Sequence, residues 1–230
     1  MRSLLTLFTL LPLTAFALSS VSPPSPQALI TQTKSFLSSA TGFYSPLIPS
    51  MLSSDFVFRG GVVGPLNKKD YCATMETLGV YRAFSLESNS YGFTVDDSDP
   101  FLVRFFHHNT GKQTAPWRPW GSFPPTSIPC TNKDVIGPTE TGCVKFSSSD
   151  PTQIVFFNTG NVLQFGDVID NNTGGLGAVL GLFHAVGYGD VGNIALIKLV
   201  RDVSNSIGYK TNAVPLTKSR EEDIPSWYVE

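Results

Sequence analysis

The chain has 230 residues, of which 41% are hydrophobic and only 15% are charged, whereas about 25% charged residues is usual for soluble proteins. This length allows one domain with a full core and an appended segment. The net charge of −2, without a block of basic residues, argues against a nucleic-acid partner, because such proteins normally present a basic face.

Residues 1–17 have the features of a signal peptide. Arg2 precedes an apolar stretch over residues 4–13, and the sequence Ala15-Phe16-Ala17 has the small-x-small arrangement that a signal peptidase needs. The alternative is a buried N-terminal helix, which Pro12 disfavours. After this segment no apolar run is long enough to span a bilayer, so we expect no membrane partner for the mature protein.

The segment after the apolar stretch has the composition of a transit peptide. From Phe16 to Ser54 it contains no acidic residue, one lysine and many serines and threonines. Together with Phe16 near the cleavage site, it resembles the bipartite presequence of algae with secondary plastids. We assign residues 18–25 to a transit or linker segment and expect the protein to enter the secretory pathway, with plastid import favoured over plain secretion.

Helical patterns dominate the first part of the remaining chain. The spacing of apolar residues predicts a helix over 25–40 with Ser25 as its cap, and a second one over 67–79 between Asn67 and Gly79. Between them, residues 46–61 are typical of a short helix that runs into a brief strand.

Strand patterns follow. Residues 91–96 and 101–108 predict a hairpin, and residues 109–141 predict a long loop, because six prolines make this segment too proline-rich for central strands. Further strands are predicted over 142–148, 152–160 and 161–170, the last two joined by a tight Asn-Thr-Gly turn. A helix over 176–187 comes next, and residues 193–203 are ambiguous. Helices first and antiparallel strands afterwards indicate an α+β domain.

The glycine cluster before the last helix raises the question of a nucleotide site. Its spacing places glycines at 175, 177 and 181, with Leu180 where the dinucleotide fingerprint requires its third glycine. A P-loop sequence is also absent from the chain. We therefore expect no nucleotide cofactor, and interpret the glycines as a sharp exit from a strand followed by a closely packed helix.

Three stretches carry a resemblance to a known family: "SSDFVFRGGVVGPLNKKDYCATM", "NSYGFTVDDSDPFLVRFFHHNTGKQTAP" and "GDVIDNNTGGLGAVLGLFHAVG". They are similar to SnoaL-like members of the nuclear-transport-factor-2-like (NTF2-like) superfamily. The resemblance implies an α+β cone over residues 26–190, with a strongly bent antiparallel sheet and helices packed on its concave side, and leaves 191–230 as a C-terminal extension.

The resemblance also implies a function. It indicates a pocket for a small apolar organic ligand, no cofactor, and a homodimer in many members. Catalytic members perform acid–base chemistry, which suggests a cofactor-independent isomerase, cyclase or dehydratase. The alternative is a non-catalytic ligand-binding or dimerising interaction module, so whether the chain is an enzyme stays open.

Asp167 and His107 are the candidate catalytic residues. Alternation over residues 161–170 places Asp167 on one strand face with apolar neighbours, and SnoaL-like cyclases carry a pocket aspartate on a late strand; the alternative is an exposed aspartate. Adjacent strand residues point to opposite faces, so His107 shares its face with Val103 and Phe105; the alternative is a structural histidine in the core. No Cys, His and carboxylate spacing resembles a metal site.

Aromatic residues are the candidates for the ligand-binding wall. We expect Phe105 and Phe165 to line the pocket from two strands. Tyr71 is a third candidate, with core packing as its alternative. Trp117 lies in the proline-rich segment, either in a lid over the cone or in a surface loop held in place by indole rings.

Overall fold

The computed structural model describes residues 22–119, 127–163, 172–188, 194–211 and 216–229. The predicted signal peptide, Phe165 and Asp167 therefore lie outside the described residues. No helix in the described ranges is both long enough and apolar enough to cross a membrane.

The first two helices begin and end at the residues that the sequence predicts, whereas α3 (Val80–Ala83) was not predicted and the helix predicted over 176–187 is shorter at both ends. Ser25 Oγ accepts a hydrogen bond of 3.3 Å from the Ala28 amide, and Asn67 Oδ1 accepts one of 2.9 Å from the Asp70 amide. Gly79 ends the second helix with a φ of 53°. The helices are α1 (Pro26–Ser39), α2 (Lys68–Leu78), α3 (Val80–Ala83), α4 (Ala178–Ala185) and α5 (Ile194–Thr211), and a 3₁₀ turn spans Pro49–Met51.

In the described part of the chain, seven strands form one sheet. They are β1 (Leu52–Gly60), β2 (Leu66–Asn67), β3 (Phe84–Glu87), β4 (Tyr91–Val95), β5 (Leu102–Gln113), β6 (Asp134–Phe146) and β7 (Ile154–Val162). The strand order is β2-β1-β7-β6-β5-β3, and β4 also pairs with β5. The pairs are antiparallel except for β1 and β7, which run parallel. The β4–β5 hairpin confirms the predicted one.

The predicted loop over residues 109–141 is wrong at both of its ends. Strand β5 continues through Asn109 to Gln113, and β6 begins at Asp134. Pro138 lies where the β5–β6 register shifts between His108 and Thr110, so its missing N–H removes no regular ladder hydrogen bond. A proline in a bulge therefore does not end a strand.

The predicted turn at residues 158–160 is also wrong. Strand β7 passes straight through it, since Asn158 pairs with Arg59 of β1 and with Cys143 of β6. Gly160 has a φ of 82° and lies at the irregularity in the β6–β7 register. Its conformational freedom is used for a bulge in a central strand rather than for a hairpin.

Aromatic rings fill the concave side of the sheet. Phe36 of α1 packs edge-on against Phe157 of β7, with ring centroids 5.1 Å apart. Phe105 lies across Gly142, where an added Cβ would come within 2.5 Å of the ring. The main buried cluster contains Leu29, Phe36, Leu37, Ala40, Leu52, Phe56, Leu66, Tyr71, Met75, Val103, Phe105, Val144, Phe146, Ile154 and Phe157. The predicted α+β cone, with helices against the concave face of a bent sheet, is confirmed.

A second buried cluster lies beside the first, under α4. It contains Val80, Ala83, Phe84, Leu86, Trp117, Ile128, Val135, Leu182, Ala185 and Val186. The two apolar clusters leave a polar zone between them on the concave face, and this zone holds the candidate site.

The C-terminal residues are joined to the cone by backbone hydrogen bonds. The Gly64 amide donates to Thr217 O over 2.7 Å, and the Ser219 amide donates to Pro65 O over 2.9 Å. Trp227 Nε1 donates to Asp55 O over 3.1 Å. Residues 194–203 of the ambiguous stretch belong to helix α5, and residue 193 lies outside the described residues.

Candidate functional site

His107 and Glu140 form a buried pair in the polar zone. His107 lies on β5 and is 3% exposed, which confirms its predicted burial, and Glu140 lies directly opposite on β6 and is 1% exposed. Directly paired residues of antiparallel strands point to the same face, so both side chains enter the concave side. The His107 Nε2 and Glu140 Oε2 atoms are 3.3 Å apart.

Three further side chains complete the network. Tyr44 Oη is 3.2 Å from His107 Nδ1 and donates a 2.5 Å hydrogen bond to Asn109 Oδ1. Asn109 Nδ2 donates to Glu140 Oε1 over 2.9 Å. Thr159 Oγ1 of β7 lies 2.9 Å from His107 Nε2. Five side chains from one loop and three strands therefore meet within hydrogen-bond distance.

The order of donors fixes where one proton of His107 must lie. Asn109 uses its amide nitrogen toward Glu140, so its oxygen can only accept, and Tyr44 must donate its single proton to it. The Tyr44 oxygen then faces His107 Nδ1 as an acceptor, which requires a proton on Nδ1. Nε2 faces the Glu140 carboxylate and the Thr159 hydroxyl, and this hydroxyl can donate to Nε2 or accept from it.

The surroundings of Glu140 favour the ionised form of its carboxyl group. Burial would raise the pKa of Glu140, but the nearby His107, the Ala178 amide and the Asn109 amide together lower it below its usual value. Burial and the negative charge of Glu140 raise the pKa of Tyr44 well above its usual value, which keeps this hydroxyl protonated as a donor. The arrangement is that of a buried histidine–carboxylate pair.

A short segment covers the pair; we call residues 172–188 the cover segment. The Ala178 amide at the start of α4 donates to Glu140 Oε1 over 3.0 Å. Gly177 permits this approach, because an added Cβ would lie 2.9 Å from the Glu140 carboxyl carbon. Asn172 binds the β6 backbone: it accepts at Oδ1 from the Ile136 amide over 2.8 Å and donates to Asp134 O over 2.6 Å.

A small cavity lies between the cover segment and the sheet. Its volume is about 10 Å³, which is close to the space of a single water molecule. Its lining residues are Phe43, Asn109, Val135, Gly137, Glu140, Thr173, Leu176, Ala178 and Leu182. Thr173 Oγ1 is buried and has no hydrogen-bond partner within the described ranges. Glu140 Oε2 makes no hydrogen bond there either, but it lies 3.3 Å from its ion-pair partner His107 Nε2.

The structure brings only part of the predicted site together. Phe105 is buried beside His107, with ring centroids 5.7 Å apart. Tyr71 lies in the main core, where its hydroxyl donates to Thr41 O over 2.8 Å. Trp117 is 1% exposed and packs against Phe183 of the cover segment at 4.5 Å, while its Nε1 donates to Leu78 O over 2.7 Å.

Glu140, Asn109 and Tyr44 are the residues that the sequence reasoning missed. Glu140 and Asn109 lie in the segment predicted as a loop. A signal for Glu140 was present, because alternation backward from Phe146 and Val144 places it on the same buried face. No sequence pattern indicates Tyr44, which reaches the site from an irregular segment. Within the described residues, no group of three or more His, Cys, Asp or Glu side chains could hold a metal ion.

No family model and no curated protein sequence matches the chain, but solved structures do. A hydroxylase candidate, AclR from Streptomyces galilaeus, is 12% identical and covers 80% of this chain and 94% of its own, with a TM-score of 0.44. A SnoaL-like polyketide cyclase candidate from Jannaschia is 13% identical, with coverages of 61% and 90% and a TM-score of 0.41.

A third similar structure is an NTF2-like protein from Prochlorococcus, 16% identical, with coverages of 60% and 93% and a TM-score of 0.35. At these identities and TM-scores, the similarity concerns the fold and carries no activity over to this chain. The α+β cone is visible in the chain itself, in the strand order, the bent sheet and the helices on its concave side.

Proposed function

We propose that this NTF2-like chain is a protein that binds a small molecule in a pocket. More specifically, we propose that it is a cofactor-independent isomerase, cyclase or dehydratase, which acts on an apolar organic molecule by acid–base catalysis. His107 and Glu140 are the proposed catalytic pair. Asp167 stays the predicted second carboxylate, at a position outside the described residues.

The observation that carries the proposal is the buried His107–Glu140 pair beside a cavity. Apolar side chains of similar volume often stabilise a core as well as a buried ion pair does, so stability alone is a weak reason for such a pair. A carboxyl group whose pKa is shifted by a specific partner, and that faces a cavity, is a candidate for chemistry.

The pair can both accept and donate a proton. Glu140 lines the cavity, so its carboxylate can take a proton from a bound molecule. The neutral carboxyl group then returns this proton to another atom of the molecule, which restores the starting pair. His107, whose Nε2 lies 3.3 Å from Glu140 Oε2, favours the carboxylate form before and after the transfer. The cycle therefore consumes no net proton.

Access requires movement of the cover segment, because a cavity of about 10 Å³ admits only an atom-sized group. Gly174 and Gly175 at one end of the segment have φ angles of 63° and 73°, and Gly187 at the other end has a φ of 100°. Glycine has the widest choice of backbone angles, so these positions are suitable hinges.

Proton exchange in D2O tests the proposal directly. The purified chain is incubated with a panel of cyclic enones and hydroxyketones, and the loss of their α-proton signals is followed by NMR. We expect at least one panel member to exchange about 100-fold faster than in buffer, and His107→Leu and Glu140→Gln to abolish the acceleration. His108→Leu is the matched control on the opposite face of β5. Acceleration that survives both site variants would contradict the assignment.

A non-catalytic ligand-binding or dimerising module is the second candidate. Two observations favour it. Aromatic rings fill the cone, and the described cavity beside the pair is small. In addition, Tyr91 and Phe106 form a stacked, exposed pair on the other side of the sheet, 5.7 Å between centroids. A dimer in sedimentation experiments that Phe106→Glu disrupts, with no exchange activity toward the panel, would favour this module.

The compartment is a separate proposal. Residues 1–17 and the acid-free stretch that follows support passage through the secretory pathway with the plastid as destination. A fluorescent protein fused after residue 54 should accumulate in plastids of a diatom host. Accumulation in the medium instead would favour secretion.

A further inference from the structure

The first residue of α4 has a strained backbone. Ala178 has a φ of 45°, which lies in the left-handed region that residues with a Cβ atom adopt only at a cost in free energy. Such conformations persist where surrounding contacts hold them, and they are common in segments that move during function. The start of α4 therefore needs a contact that compensates for its strain.

Glu140 supplies such a contact. Helix α4 follows Gly177, which has no side chain to cap it, and its first turn contains no acidic residue. The amides at a helix N-terminus lack partners within the helix and carry a partial positive charge. Glu140 Oε1 of β6 accepts a hydrogen bond of 3.0 Å from the Ala178 amide. The sheet thus provides the negative charge that the first turn of α4 lacks.

The strength of this hydrogen bond depends on the charge of Glu140. A hydrogen bond to an ionised carboxylate is roughly twice as strong as one between neutral groups, and Glu140 is only 1% exposed, so water does not screen it. His107 and Tyr44 are the titratable side chains described next to this carboxylate. When Glu140 takes up a proton, its attraction for the Ala178 amide weakens, whereas the strain at Ala178 remains.

The two halves of the cover segment are held in different ways. In the C-terminal half, Leu182, Ala185 and Val186 are buried in the second apolar cluster, and this packing does not depend on charge. In the N-terminal half, Asn172 makes neutral hydrogen bonds to the β6 backbone, and Glu140 binds the start of α4 through its charge. A change in the charge of Glu140 therefore acts on the N-terminal half.

We propose that the Glu140 carboxylate is a charge-dependent latch of the cover segment. In its ionised form it holds the strained start of α4 against the sheet, and in its neutral form it allows the N-terminal half of the segment to open. A bound molecule that gives its proton to Glu140 thereby loosens the segment above it. The inference goes beyond the proposed chemistry, and its test requires neither a ligand nor activity, so either one can fail while the other stands.

Hydrogen exchange of backbone amides tests the latch. We follow the amides of Ala178 and of Gly181, which donates to Gly177 O over 3.1 Å, by NMR at pH 7 and low urea concentrations. We expect Glu140→Gln to speed exchange at both amides about fivefold, because glutamine keeps the shape but offers only a neutral acceptor. Glu87→Gln makes the same chemical change at an exposed position of β3, and should leave both rates unchanged.

The urea dependence separates local opening from global unfolding. Opening of the cover segment alone exposes little surface, so the acceleration in Glu140→Gln should hardly vary with urea below the unfolding transition. Equal exchange rates in the wild-type chain and in Glu140→Gln would overturn the latch. An acceleration that rises with urea as steeply as exchange in α1 would also overturn it, because it would report global destabilisation.

A second variant tests the strain at the start of α4. Glycine adopts a φ of 45° without the penalty that a Cβ atom causes, so Ala178→Gly should slow the exchange of the Gly181 amide. This variant leaves Glu140 and its charge in place. Exchange that is unchanged or faster in Ala178→Gly would overturn the strained state that the latch is proposed to hold.

Discussion

Substitution of His107 should lower the free energy of unfolding much more than substitution of Glu140. At a separation of 3.3 Å, a protonated His107 would attract the Glu140 carboxylate by about 5 kcal/mol for an effective dielectric constant of about 20. Desolvation costs several kcal/mol per ion, so the intact pair contributes little net stability. His107→Leu leaves a buried carboxylate without its partner, and we expect the free energy of unfolding at pH 7 to fall by about 3–5 kcal/mol.

Glu140→Gln should cost much less. The glutamine oxygen can still accept from the Ala178 and Asn109 donors, and its amide can donate to a neutral His107 ring through Nε2. We therefore expect a loss of about 1 kcal/mol. The double variant should be more stable than His107→Leu alone, because the second substitution removes the charge that the first left without a partner.

The free energy of unfolding should depend on pH in opposite ways in the wild-type chain and in His107→Leu. In the wild-type chain the pKa of Glu140 is lowered, so its contribution to stability is present above about pH 4.3 and is lost as the pH falls through the lowered pKa. Without His107, burial raises this pKa, so the penalty of His107→Leu is complete at neutral pH and disappears as the pH falls. Urea denaturation at about pH 3, pH 5 and pH 7 measures both effects: the wild-type loss between pH 5 and pH 3, and the penalty of His107→Leu between pH 7 and pH 5. A double variant less stable than either single variant at pH 7 would refute the reasoning.

Three further substitutions test the packing around the site. Gly142→Ala should destabilise the chain by about 1–3 kcal/mol in urea denaturation, because the new methyl group overlaps Phe105; unchanged stability would contradict the contact. Asn172→Ala removes two side-chain hydrogen bonds to β6, and should speed hydrogen exchange in α4 while leaving α1 unchanged. Trp117→Phe leaves the Leu78 carbonyl without its donor and should lower the free energy of unfolding by about 1–3 kcal/mol; a smaller change would exclude this bond as a major contributor.

The sequence predicted the fold better than the site. Caps such as Ser25 and Asn67 act through local hydrogen bonds, so the helix starts are visible in a few residues. Alternation along β5 likewise predicted that His107 is buried. These features depend on neighbours in the chain, which a single sequence displays.

The errors arise where pairing between strands overrides local signals. Pro138 and Gly160 resemble strand breakers in sequence, but both lie in bulges whose existence depends on the partner strand. As a consequence, Glu140 was hidden in a predicted loop. Its role becomes visible only when the β5–β6 register places it opposite His107, 33 positions away in the chain by their numbers.

The protonation state of His107 is the most direct test of the account. In ¹⁵N NMR spectra of the imidazole ring, we expect Nδ1 to carry a proton in the wild-type chain and in Glu140→Gln. This follows from the Tyr44 contact at Nδ1 and from the hydrogen bond that Tyr44 donates to Asn109. A wild-type ring with its only proton on Nε2 would contradict this order of donors and with it the proposed acid–base site.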